Sequence, residues 1–364
     1  MLELGPRDRQ RGIAILTVLT AVTILTIVAT DMQYNARVDA QLAENGRDEL
    51  IAYYNAKNAL EIELGILRAL RQAQATLKQF LPNVPLPNLA SMLPAECGML
   101  TALITLNDDT PLPLPGECVA KAMPEKGKID LNRLGSISDK FRVRNLLLGR
   151  LLDPRFDRYW EDEHGNGERV SRDELAGFIT DYVDLDNVRE GSSVGDEDDN
   201  YARMRDRYKV KNAPFDSLAE MQMIYGIDDD LFGELEQGFT VYPVGGITLA
   251  TAELPTVAAV IRQAAVNPND LALYGPGMEL LLTMIVELRA LPLGQGILNA
   301  ATLKTLGAQV GVNLDEQKLK DFVDDNASLD WYTVLATGQM NAVEKRILAT
   351  FNLATNQMVY FREE

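Results

Sequence analysis

The chain has 364 residues, 46% hydrophobic content, a formal net charge of −18 and a single histidine. That much apolar content at that length supplies a full core and two or three domains, which excludes a disordered chain. So acidic a surface repels nucleic acid, and the one imidazole, His164, is too few for a histidine-rich zinc site or a histidine-based triad; by itself His164 reads as solvent-exposed and structurally neutral.

The chain opens with Arg7, Arg9 and Arg11, then Gly12, then eighteen residues from Ile13 to Thr30 without a charge until Asp31. Eighteen helical residues cover about 27 Å, close to the ~30 Å of a bilayer's hydrocarbon core. A single-pass segment in an inner membrane follows, with the arginines cytoplasmic and everything after Asp31 periplasmic. Thr17, Thr20, Thr23 and Thr26 suit a helix that packs on other helices. A secretory signal peptide and a plain one-pass anchor are the alternatives. The first fits poorly, because Thr30-Asp31-Met32-Gln33-Tyr34 leads into polar, helix-compatible sequence rather than a small-residue cleavage site. The glycine between the basic and apolar segments resembles the processing site of type IV pilin-like proteins, which are cut after this glycine by a prepilin peptidase. That resemblance implies cleavage between Gly12 and Ile13, with the hydrophobic helix retained.

From Asp31 to Phe80 there is no proline, and Tyr53, Ala56, Leu60, Leu64 and Leu67 fall at helical spacing, so the helix is expected to continue beyond the membrane. Asn45-Gly46 is the expected bend, and Pro82, Pro85, Pro87 and Pro94 end the helix. Cys97 and Cys118 flank a strand-like run, Met99 to Leu106, and a turn, Asn107 to Pro111. In the periplasm the two cysteines either form a disulfide stapling a hairpin or are two unrelated buried thiols. Later strands are expected at Trp331–Thr337, Glu344–Asn352 and Gln357–Phe361. Between them, Arg144–Leu152, Leu175–Tyr182, Leu218–Tyr225, Thr256–Ala265, Gly277–Leu291 and Leu314–Val323 read as short amphipathic helices. The fold class is therefore α+β, pilin-like: a long N-terminal helix on a small antiparallel sheet, with a large, mostly helical domain inserted into the sheet. The expected divisions are a leader at 1–12, a membrane half-helix at 13–30, periplasmic helix and first strands at 31–130, the insert at 131–325 and the last strands at 326–364.

Three further motifs carry a resemblance over essentially the whole chain. Gly127-Lys128-Ile129-Asp130-Leu131-Asn132 is followed by Asp181-Tyr182-Val183-Asp184-Leu185-Asp186, and then by Pro214-Phe215-Asp216-Ser217-Leu218-Ala219-Glu220-Met221 with Ile224-Tyr225-Gly226-Ile227. The order resembles the GspK family, the large minor pseudopilins of type II secretion systems. The resemblance implies a non-enzymatic subunit at the tip of a pseudopilus, initiating or capping filament assembly, with GspI- and GspJ-like subunits as partners and possibly a GspH-like one. Methylation is among the modifications it implies. Ordinary pilin subunits carry a glutamate at the fifth residue after the cleavage point; here it is Thr17. A subunit without that acid lacks the group that would engage a subunit above it. The alternatives are a minor pilin at the tip of a type IV pilus and, in a different class, a membrane-anchored periplasmic enzyme. Against the latter, the chain has no H-E-x-x-H and no glycine-rich phosphate loop.

Between Asp181 and Asn200 lie eight acids and one base, Arg189. A solvated acidic loop is the plain reading. It is not an EF-hand, since counting from Asp184 puts Arg189 where glycine is required and Gly195 where glutamate is. The family resemblance implies a structural calcium ion here, with Asp184, Asp186, Glu197, Asp198 and Asp199 as ligand candidates.

Overall fold

A computed structural model of the chain describes residues 6–80, 95–98, 115–161, 169–190, 195–203, 206–291, 294–324 and 330–364. One helix runs from Pro6 to Phe80, and its hydrogen-bonded ladder passes through the expected bend at Asn45-Gly46 without a break. Pro82, Pro85, Pro87 and Pro94, the prolines expected to end it, lie outside the described residues.

Only the second half of this helix packs on the molecule. Ala52, Ala56, Ala59, Leu60, Leu64 and Leu67 are buried, forming one stripe at three- and four-residue spacing. They cover a five-stranded, fully antiparallel sheet of order β1-β2-β5-β6-β7. The strands are β1 (Ala95–Glu96), β2 (Glu117–Pro124), β5 (Trp331–Met340), β6 (Val343–Asn352) and β7 (Gln357–Glu363). β3 (Ile129–Asp130) and β4 (Phe239–Thr240) form a separate parallel pair inside the insert. Each long strand sends alternate residues to the helix: Tyr332, Val334 and Ala336 from β5, Ala120 and Ala122 from β2, Ile347 and Ala349 from β6.

Helix and sheet meet most closely at Gly338. A Cβ there would lie 2.1 Å from the Ala52 carbonyl oxygen and 2.3 Å from the Ala56 nitrogen, so the helix backbone rests on the strand itself. Asn55 fixes this crossing, its Nδ2 donating to the Pro115 carbonyl at 2.8 Å. Two turns later Glu63, fully buried, accepts the Ala95 N–H at 3.1 Å and so holds the short β1 against the helix.

β2 was not expected. Its inward residues are Cys118, Ala120 and Ala122, too small to register as a hydrophobic alternation. The expected strand at Met99–Leu106 and its turn lie outside the described residues, as does His164. Cys97 and Cys118 are joined by a disulfide with Cα atoms 5.2 Å apart, beside the β1–β2 pairing of Ala95 with Ala120 and Glu96 with Val119.

The chain leaves the sheet after Pro124 and returns at Trp331. The two crossings are tied side by side: Glu125 N–H donates to the Trp331 carbonyl at 3.0 Å, and Lys126 pairs with Asp324 at 2.8 Å. Between them a second core is built by the helices Lys140–Leu151, Arg172–Val183, Leu254–Ala264, Pro276–Ala290, Ala300–Gln309 and Glu316–Phe322, with Asp229–Leu235 at its side. Ala300–Gln309 and Asp229–Leu235 were not expected from the sequence. The segment read as a helix at Leu218–Tyr225 is instead 3₁₀ over Leu218–Met223, opened by a capping box between Ser217 and Glu220.

Gly338→Val should force the long helix off β5. Overpacking of this kind costs roughly 1–3 kcal/mol, and each kcal/mol is worth about 2–4 °C in a chain of this size class. Thermal melts should show a fall of several degrees with helix content retained below the transition; an unchanged midpoint would contradict the close approach.

Candidate functional site

Three regions carry the residues singled out by sequence. In the first, Gly12 and Ile13 lie within the helix Pro6–Phe80. From Ala14 onward this is a helix long and apolar enough to cross a membrane, with a mean hydropathy of 2.0 in its best window and none of that window buried. Thr17 donates its hydroxyl to the Ala14 carbonyl at 2.9 Å, and Thr23, Thr26 and Thr30 each donate to the carbonyl four residues back at 2.8 Å. With their hydroxyls satisfied on their own helix, these threonines enter hydrocarbon or a helix interface without an orphaned donor. The second region is the Cys97–Cys118 disulfide described above.

The third is the acidic loop, and the sequence motifs assemble around it. The helix Arg172–Val183 starts with a capping box, Ser171 with Glu174, and ends at Asp184, whose N–H donates to the Thr180 carbonyl at 3.0 Å. Tyr182 stacks on Phe215 with ring centroids 5.0 Å apart. Asn132 clamps the same Phe215, accepting its N–H at 2.7 Å while its own Nδ2 donates to the Val241 carbonyl at 2.8 Å. The three motifs that are separate in sequence thus form one framework, and the acidic loop emerges from it.

On that framework ligand oxygens of Asp184, Asp186 and Glu197 lie within 4.8 Å of one another. Asp184 and Glu197 are buried, 4% and 5% exposed; Asp186 is at the surface. Lys140 takes one oxygen of Asp184 at 2.7 Å; among the described residues, Asp184 Oδ1 and both carboxylate oxygens of Glu197 are buried without a hydrogen bond of good geometry, the Asn212 side chain being the polar neighbour that favours the Glu197 carboxylate. Buried carboxylates are normally paired or bonded, and three oxygens so placed in one cluster of acids make a costly arrangement. Opposed oxygen ligands around a calcium-sized ion sit about 4.8 Å apart, twice a bond of ~2.4 Å, so the residues present fit a hard divalent cation.

Asp198 and Asp199 stand apart from this group among the described residues. Asp198 accepts the Val210 N–H at 3.0 Å, and Asp199 accepts the Asp196 N–H at 3.1 Å, closing the 3₁₀ turn Glu197–Asp199. Their lone pairs hold the loop that presents Glu197. Lys140, Asn212 and Asp181, the last of these one of the eight acids but not among the ligand candidates, also belong to the site. Lys140 pairs with Asp184 and Glu190. Asp181 accepts the Glu190 N–H at 2.8 Å, and Asn212 Nδ2 donates to the Asp186 carbonyl at 2.9 Å. Asn212 has φ +47, and an asparagine two residues before Pro214 is the turn signal the sequence offers for it.

Comparison with known proteins bears on this region first. Residues 163–244, which contain the whole acidic group, match the family model described as Type II secretion system (T2SS), protein K. Over 100 residues it is 32% identical to Type II secretion system protein K of Pectobacterium carotovorum subsp. carotovorum, an alignment taking in 26% of this chain and 30% of that relative. A solved structure, described as the GspK–GspI–GspJ complex from the enterotoxigenic Escherichia coli Type 2 Secretion System, contains a chain with the same fold. The TM-score is 0.54 at 14% identity, covering 90% of this chain and 99% of that one. The resemblance to protein K is thus present in sequence across part of the insert, and the pilin-like α+β fold across nearly the whole chain.

Burial first, and then the neighbouring charge of Asp184, push the Glu197 carboxyl up from 4.5 to about 7. Burial likewise raises Asp181 from 3.8 to about 8. Each folded-state value lies above the unfolded one. The stability they contribute is therefore complete at low pH and lost as pH rises through about 7 and about 8. In chelator, thermal midpoints should fall between about pH 5 and pH 8, and Glu197→Gln should flatten that fall and melt higher than the parent at pH 8. A Glu197→Gln midpoint below the parent's at pH 8 in chelator would contradict this electrostatic account.

Proposed function

We propose that this chain is a non-enzymatic minor pseudopilin standing at the tip of the pseudopilus of a type II secretion system, where it initiates or caps filament assembly. The observation that carries the reading is the placement of the stretch that matches protein K within a large insert between β2 and β5 of a pilin-like sheet. The proposed mechanism is geometric. A pilin body offers a long helix for assembly with its neighbours, but an insert of some two hundred residues (125–330) would clash inside a close-packed shaft and is accommodated at an end. The unbalanced position at Thr17 agrees with this, since no carboxylate is available there to meet a subunit above. GspI- and GspJ-like subunits are the proposed partners, with the N-terminus cytoplasmic and the bulk of the chain periplasmic. Co-expressed with the I-like and J-like subunits of the same secretion system, the full chain should elute with them in size-exclusion chromatography; elution alone argues against the assembly.

The helix from Pro6 also holds the proposed peptidase site. Gly12→Val should leave the precursor intact in the membrane fraction, whereas the parent yields a mature N-terminus at Ile13 by mass spectrometry. Identical N-termini in the two would remove the prepilin reading.

The proposed ion is structural calcium on Asp184, Asp186 and Glu197. When bound it supplies two positive charges to oxygens that otherwise lack a hydrogen bond of good geometry, while Lys140, Asp198, Asp199 and Asn212 keep the loop in position. Calcium at a hundred times its dissociation constant would add about 2.7 kcal/mol. The thermal midpoint should therefore rise with calcium, fall back with chelator, and lose its response in Glu197→Gln; no calcium-dependent rise in the parent chain would defeat the assignment.

A further inference from the structure

The end of the helical insert that carries the acidic loop also carries large apolar side chains that are strongly exposed among the described residues. Ile137 is 102% exposed and Phe141 76%, one turn apart at the start of the helix Lys140–Leu151. That helix buries Val143, Leu146, Leu147 and Leu151, so Phe141 points away from the face that the core requires. Leu185 and Val188, 78% and 71% exposed, occupy the loop after Asp184. Lys140, between Ile137 and Phe141 in sequence, is bonded to Asp184 at 2.7 Å and also pairs with Glu190, which brings the two apolar pairs to one end of the domain. Isolated surface leucines are ordinary; four large apolar residues exposed at one end of a domain are not.

The charge around them has one sign to spare. The local cations are occupied: Lys140 by Asp184 and Glu190, Arg142 by Asp139, and Arg189 over the Phe178 ring. Asp186, Asp196 and Asp199 instead spend their hydrogen bonds on backbone N–H groups, of Val188, Asp198 and Asp196. An anionic membrane surface is repelled by such a rim, and a second copy of this end would bring the same acids face to face. A cationic, apolar protein segment satisfies both features.

We propose that Ile137, Phe141, Leu185 and Val188, with the acids beside them, form a docking surface for a protein segment whose apolar side chains are flanked by lysine or arginine. The proposal stands whether or not the pseudopilin reading does, because it uses only this end of the insert.

The test uses the full chain in nonionic detergent with chelator and a fluorescein-labelled peptide of alternating leucine and lysine, with the leucine–glutamate peptide as control. Anisotropy from empty micelles is subtracted. The lysine peptide should bind, the glutamate peptide should not, and the doubly substituted Phe141→Ser, Leu185→Ser chain should bind the lysine peptide at least tenfold more weakly. Both positions are exposed, so the thermal midpoint of that variant should match the parent's. Equal binding by parent and variant would mean that charge alone attracts the peptide and would overturn the proposal. So would self-association in sedimentation that the double substitution abolishes, which assigns the surface to a second copy. A lipid surface is the remaining rival: a dye on F141C quenched by brominated lipid in phosphatidylglycerol nanodiscs would overturn the proposal in its favour.

Discussion

No side chain separates the long helix from the sheet at Gly338, and the architecture hangs on that contact. A backbone-to-backbone approach is possible only because alanines and a glycine face one another: Ala52, Ala56 and Ala59 on the helix, Gly338 on β5. The larger residues of the stripe, Leu60, Leu64 and Leu67, then reach the wider part of the sheet, where Tyr332, Val334 and Phe351 fill the layer. The first half of the helix has no such surface beneath it, so its apolar residues are left for a bilayer or for other helices.

The insert is joined to this body through two neighbouring strands of chain, held by the Glu125–Trp331 and Lys126–Asp324 contacts and by the stacking of Tyr242 on Trp331 at 5.1 Å. A domain tethered so narrowly keeps its own core, and its acidic loop lies on that core rather than on the sheet. The loop holds an unresolved electrostatic demand. Among the described residues, buried carboxylate oxygens of Asp184 and Glu197 have no hydrogen bond of good geometry, although the motifs around them are fully engaged with one another. Protonation meets part of that demand at low pH, and the proposed cation would meet it at neutral pH.

What could be read from the residues depended on how strongly each element signals locally. β5, β6 and β7 were legible because long runs of β-formers alternate between turn residues, and Asn341 and Asn356 take the left-handed conformation between them. β2 was not, because its inward positions are alanines and a cysteine whose burial comes entirely from the helix above. Leu218–Met223 has a helix's spacing and capping box, yet it winds as a tighter 3₁₀ turn, ended where the Ile224 N–H donates to the Met221 carbonyl. Of the five acids named as ligand candidates, sequence spacing could not distinguish the three that converge from the two that cap the loop. Lys140, more than forty residues away, was invisible for the same reason.

By itself the sequence determined the basic-then-apolar opening segment, the long helix and its buried stripe, the C-terminal hairpins and the concentration of acids after Asp181. All of these are local patterns of polarity and propensity along one stretch of chain. The tertiary structure alone decided that the helix touches β5 at Gly338, that β2 completes the sheet, that Asn132 clamps Phe215, and that Asp184, Asp186 and Glu197 converge. Each of these joins residues far apart in sequence, and such pairings are fixed by packing and hydrogen-bond satisfaction in three dimensions, which no local periodicity encodes.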